Sequence, residues 1–213
     1  MYKQIFLKRG KEESLKRFHP WIFSGAIHHM DEGIEEGETV RVITAAGEFI
    51  AVGHYQIGSI AVRVLSFEDI EINTDFWCER LQSALDVRIG VGIADSPTNN
   101  TYRLVHGEGD YLPGLVIDCY GSTAVMQAHS VGMHVCRNEI CQALVQVMGD
   151  RIANVYYKSE TTLPYKADLH QENGFLVGGD ASNVAMENGL KFHIDWLRGQ
   201  KTGFFVDQRE NRQ

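Results

Sequence analysis

The run LVIDCYGSTAVMQAHSVGMHVCRNEICQALVQVM, residues 115–148, decides how the larger part of this chain folds. Leu115–Tyr120 and Thr123–His129 are β-rich runs separated only by Gly121-Ser122, and a two-residue link with Gly first predicts a type II′ hairpin. Ser130 then offers its hydroxyl as the cap of a helix over residues 131–148. In that helix Met133, Cys136, Ile140, Leu144 and Val147 recur every three or four residues, a single apolar stripe suited to covering a sheet. Downstream, Ile152–Tyr157 reads as another strand. Asn188-Gly189 sits between Val184–Glu187 and Leu190–Asp195, and a type I′ turn needs φ > 0 at both central positions, which Asn and Gly tolerate best. The resulting order, strand–strand–helix–strand–strand, is α+β and lacks the alternation of a doubly wound sheet.

Working outward, residues 34–66 carry a different pattern. Thr39–Ile43 and Glu48–Gly53 flank Ala45-Ala46-Gly47, and Ile60–Leu65 is a third short β-rich run. Close spacing with Gly punctuation predicts a small barrel or sandwich. A composition change follows: Asn73-Thr74-Asp75 supplies helix-start residues, and Trp77, Leu81, Leu85 and Ile89 recur at i+4, predicting a helix over about 75–89 that ends at Gly90 and Gly92. Residues 94–101, with Pro97 and two Asn, read as a loop. Three segments are expected: residues 1–72, residues 73–196 with a helical linker at their start, and a terminal stretch, residues 197–213. In the last, Asp207 followed by Glu210 resembles a capping box. A helix begun there has less than two turns before Gln213, too short to be stable alone, so it is expected to belong to a further globular layer.

Charge and cysteine usage narrow the function classes. The net charge of −8 argues against indiscriminate nucleic-acid binding, which rests on neutralising phosphates. The charge is uneven, however: Lys3, Lys8, Arg9, Lys11, Lys16 and Arg17 outnumber Glu12 and Glu13 within the first 24 residues. That asymmetry predicts a basic patch on an acidic body. Cys78, Cys119, Cys136 and Cys141 lie scattered with no metal-type spacing, so no metal site is expected and the thiols read as reduced. The first residues have no secretory pattern and no run is long enough to span a bilayer, which points to the cytoplasm.

Three stretches, in order along the chain, carry a resemblance. Leu15-Lys16-Arg17-Phe18-His19-Pro20-Trp21-Ile22-Phe23-Ser24-Gly25-Ala26-Ile27 resembles the opening of the PUA-domain-containing 23S rRNA 5-methylcytosine methyltransferases. Residues 102–118, from Tyr102 through His106, Glu108 and Asp110 to Asp118, resemble the start of that family's central domain. Residues 199–212, Gly-Gln-Lys-Thr-Gly-Phe-Phe-Val-Asp-Gln-Arg-Glu-Asn-Arg, resemble the segment leading into its S-adenosylmethionine-binding domain. The resemblance implies a PUA-like β-barrel followed by a mixed α+β domain, with the catalytic Rossmann domain absent from this chain. It implies RNA, 23S rRNA in particular, as partner and S-adenosylmethionine as cofactor of the longer parent.

The residues fit those roles chemically. Lys8, Arg9, Lys16 and Arg17 can meet phosphates while His19 and Trp21 offer flat rings for bases; Pro20, Trp21 and Phe23 read more readily as core of the small barrel. Lys201, Phe205, Asp207, Gln208 and Arg209 offer a cation, a ring, a carboxylate, an amide and a guanidinium to the cofactor, or else only pack a first helix. No catalytic residue is expected here, since no Cys stands beside a Pro as that family's nucleophile does, and Gly90-x-Gly92 does not follow a strand as a cofactor-binding turn must. The alternating His106, Glu108 and Asp110 could form a hydrolytic or metal cluster, but Gly107, Gly109 and Pro113-Gly114 favour a turn. A stand-alone PUA-type RNA-binding adaptor is the alternative to a methyltransferase.

Overall fold

A computed structural model describes residues 2–164, 169, 172–179 and 182–213. The N-terminal part is a six-stranded sheet formed by β1 (Lys3–Leu7), β2 (Trp21–Phe23), β3 (Ile27–Met30), β4 (Thr39–Ile43), β5 (Phe49–Tyr55) and β6 (Ile60–Ser66). Their order is β2-β6-β5-β4-β1-β3, with β1 and β4 parallel and all other neighbours antiparallel. The two edges, β2 and β3, are consecutive in the chain and joined by a single 3-10 turn, Ser24–Ala26. The sheet must therefore curl until its edges meet. No ladder closes β2 on β3 among the described residues, so the expected β-barrel is an open, curled sheet. Ile5, Leu7, Leu15, Ile22, Val40, Val42, Ala51, Val62 and Val64 fill its interior.

Helix α1 (Thr74–Gly90) follows, capped by the Asn73 side chain, which accepts the Phe76 N–H at 3.0 Å. The second sheet contains β7 (Thr101–His106), β8 (Leu115–Tyr120), β9 (Thr123–Ala128), β10 (Asn154–Tyr157) and β11 (Gly174–Val177), in the order β11-β10-β9-β8-β7. The β7 strand, unread in the sequence, starts at the end of the expected loop. Gly121 has φ +58°, as the II′ turn requires. The single helix expected over 131–148 is two, α2 (Val131–Val135) and α3 (Arg137–Met148), meeting at Cys136. Ser130 caps the first as anticipated, its hydroxyl accepting the Met133 N–H at 3.4 Å.

Alternation along the strands gives this sheet two buried faces. Ala124, Met126 and Ala128 of β9 lie in the core formed with α1 and α3, where Trp77, Leu81, Leu85, Ile140 and Leu144 are fully buried. Val125 lies in a second core with Tyr120, Tyr156, Ala185, Ile194 and Trp196. That core is covered by the hairpin of β12 (Val184–Glu187) and β13 (Leu190–His193), a separate two-stranded sheet. Asn188 and Gly189 have φ +51° and +78°, so the type I′ turn forms where the sequence placed it.

The final segment departs from expectation. Instead of an α-helix begun at Asp207 there are two 3-10 turns, Val206–Gln208 and Glu210–Arg212. Phe204 and Val206 pack on the second core, and Arg212 pairs with buried Glu187 at 2.7 and 2.8 Å. These contacts compete with the helix ladder for the same few residues.

Candidate nucleic-acid interface

The basic residues lie at the ends of the curled sheet, where strands stop and turns begin. Burial of Ile5 and Leu7 aims β1 so that Lys8 and Arg9 emerge exposed just beyond it. Beside them Phe6 stacks on His29 of β3 at 4.2 Å with planes 9° apart. Together with His28 and residues Thr44–Gly47, they border a groove of about 650 Å³. The sequence alone does not single out His28 and His29. Their signal, an exposed imidazole pair opposite the basic strand end, depends on the β1–β3 pairing.

The second basic pair sits on the 3-10 turn Leu15–Arg17, anchored by buried Leu15. Lys16 and Arg17 are exposed, and Lys16 pairs with Glu13 at 2.8 Å. This hydrogen-bonded contact moves the Lys16 ammonium up and the Glu13 carboxyl down from their ordinary pKa values. Both side chains are more than half exposed, so the pair adds little stability. His19 packs edge-on to Trp21 at 5.9 Å, and its Nδ1 accepts the Trp21 backbone N–H. Trp21 is half-buried, and its Nε1–H donates to Glu108 of the second unit at 2.8 Å. Lys8 donates to the Gly25 carbonyl at 2.9 Å, and Gly25 itself borders a hollow with Lys11, Trp21 and Phe23. Lys16 and Arg17 border neither of these two depressions.

His106, Glu108 and Asp110 do not converge on one point. Asp110 is held by the Arg88 guanidinium and accepts the His106 N–H, Glu108 accepts Trp21, and the His106 ring faces Arg103. Residues 107–110 are a 3-10 turn. Among the described residues no three His, Cys, Asp or Glu side chains gather as metal ligands would. Burial pushes the thiols of Cys119 and Cys136 up to about 12 and that of Cys141 up to about 11, away from nucleophilic thiolates.

The C-terminal candidates occupy a built surface. Asp118, fully buried, takes two hydrogen bonds from Arg103 at 2.8 and 2.9 Å and one from Thr202. Lys158 donates to the carbonyls of Trp196 and Gly199 at 2.7 and 2.6 Å. On the segment so fixed, Lys201 stands 5.1 Å from the ring of exposed Phe205, and Gln208 donates to Asp207 at 3.3 Å. Arg209 is committed elsewhere, to Glu187 and the Thr101 carbonyl.

Residues 5–67 match the family model for the PUA-like domain. This segment resembles a PUA-like domain. The full chain is 40% identical over 216 residues to the ribosomal RNA large subunit methyltransferase I of Vibrio parahaemolyticus, covering 100% of the chain and 53% of that relative. The protein of the same name from Erwinia tasmaniensis is 34% identical over 218 residues, with 100% and 54% covered. The chain thus spans about half the length of the curated relatives it matches. In fold, the curled-sheet unit and second unit together resemble a Streptococcus mutans protein classed as a SAM-dependent methyltransferase, with a TM-score of 0.79 at 23% identity over 98% of this chain and 52% of that one. A methyltransferase-class structure in complex with SAH matches equally well.

Proposed function

We propose that this chain is the RNA-docking, N-terminal part of an S-adenosylmethionine-dependent methyltransferase acting on cytosine C5 of large-subunit rRNA in the cytoplasm. The observation that carries the reading is the similarity, along the whole of this chain and about half of each relative, to proteins named as large-subunit rRNA methyltransferases, starting with a match to a PUA-like domain. In this reading residues 1–72 dock the RNA, residues 73–196 space the dock from the chemistry, and residues 197–213 lead to the catalytic layer. Lys8, Arg9, Lys16 and Arg17 meet phosphates, and His19 and Trp21 lie beside the strand. The groove beside His28 and His29 supports this role, because exposed imidazoles and cations around a shallow channel suit a sugar–phosphate track.

On the cofactor side, the exposed Phe205 ring, the Asp207 carboxylate, the Gln208 amide and Lys201 fit one flank of S-adenosylmethionine. Bound there, the cofactor supplies the electrophilic methyl group. Arg209, held by Glu187, would shape that flank instead of contacting the cofactor directly.

The test is RNA binding across a salt series, for the protein and for a Lys16→Glu, Arg17→Glu variant. Weaker binding and a flatter salt dependence are expected, by about one unit of slope for each phosphate that is no longer neutralised. An unchanged slope rules out the basic patch as the dock. Methyl transfer by the longer parent to rRNA from cells lacking it tests the chemistry.

A further inference from the structure

A cleft of about 390 Å³ lies between the curled-sheet unit and the second unit. Phe18 and Phe67 enter it from the first, edge to face at 5.2 Å. Phe76 and Arg80 of α1, and Tyr111 after β7, enter it from the second.

Three observations bear on what the cleft can hold. Phe18 is 70% exposed and Tyr111 63%, so neither ring adds its full burial energy to a core. Both hold left-handed backbone, φ 61° and 56°, as the closing residues of the 3-10 turns 15–17 and 107–110, which set each ring out toward the cleft. Arg80 lies 5.2 Å from the Phe76 ring and 5.7 Å from that of Tyr111, with its Nε buried and without a hydrogen-bond partner. A ligand with a flat face would use the two exposed rings, and one with a hydrogen-bond acceptor would meet the Arg80 guanidinium where it lines the cleft.

We infer that this cleft receives one unstacked nucleobase from single-stranded RNA. The base stacks on the exposed rings, and Arg80 donates to an acceptor on its edge. Glu79 and Glu108, which also line the cleft, accept from its N–H groups. Those carboxylates repel phosphate, so the backbone stays outside, where Lys16 and Arg17 immediately precede Phe18 in sequence. The inference rests on the RNA-docking reading and adds a base-recognition site to it.

The experiment uses the full chain and a short single-stranded RNA carrying the fluorescent purine analogue 2-aminopurine. Phe18→Gly and Tyr111→Gly each remove a ring while suiting the left-handed backbone. Thermal stability is expected to hold or rise, the fluorescence quench to fade, and affinity to fall about 5- to 100-fold per ring. Arg80→Lys, which keeps the charge but loses the planar donors, should weaken binding as well. If the glycine variants melt earlier, the rings are structural and the inference falls. If they bind as tightly as the parent while Lys16→Glu, Arg17→Glu binds weakly, the cleft holds no base and the dock stands. If the chain binds no RNA at all, the docking reading falls and takes the cleft with it.

Discussion

Near neutral pH, burial keeps His54 uncharged in the folded chain. It lies on β5, 2% exposed, against Trp77, with Cys136 Sγ 3.7 Å from its Nε2. Burial, helped by the Arg63 cation, depresses its pKa from 6.5 to about 4. Between those values the unfolded chain binds more protons, so the stabilisation is complete above about pH 6.5 and is lost as pH falls toward 4. Linkage makes the loss about 3 kcal/mol. Denaturant titrations from pH 7 to 4 should show a shallower fall for His54→Gln than for the parent. Burial also lowers His129 and His134, which contribute in the same direction, so the difference in slope is the quantity to read. An identical slope in both proteins would show that His54 titrates normally.

Among the elements, α2 fits closely against its neighbour. A Cβ on Gly132 would stand 2.2 Å from the His54 ring, so Gly132→Ala overpacks the joint between the two units and should cost about 1–3 kcal/mol in urea unfolding. A cost near zero would mean that α2 shifts freely. At the other end, Glu187→Gln removes the carboxylate shared by Arg209 and Arg212. We expect about 1–3 kcal/mol of local loosening, read as faster amide exchange over residues 204–212, because both arginines can still reach water. Both hairpin turns and the caps of α1 and α2 were legible in sequence because Gly121, Asn188-Gly189, Asn73 and Ser130 act locally. The break at Cys136 was not, since the apolar stripe Met133–Val147 runs straight through it and nothing local marks the junction. The expected helix at Asp207 failed because its turn residues are claimed by Glu187 and the second core. Likewise, the six cationic and aromatic dock candidates were readable as types, whereas the His28–His29 partnership and the Trp21–Glu108 bond needed the topology.

For the molecule as a whole, the two sheets are joined by more than a linker. Trp21 reaches Glu108, the His54 ring of β5 packs against Trp77 of α1, and Leu65 from the end of β6 is buried in the second unit's core. Joined this way, the units should melt together, in one calorimetric transition whose van't Hoff and calorimetric enthalpies agree; two resolved transitions would show them independent. The position of β1 has a further consequence. Strand one is an inner strand, flanked by β3 and β4, although it starts at residue 3. A nascent chain must therefore leave it waiting until residue 43 has cleared the ribosome, and an affinity tag fused to the N-terminus hangs next to a fully paired ladder instead of a free edge. Trimming those first residues would open two naked edges at once, inviting association with any exposed strand nearby.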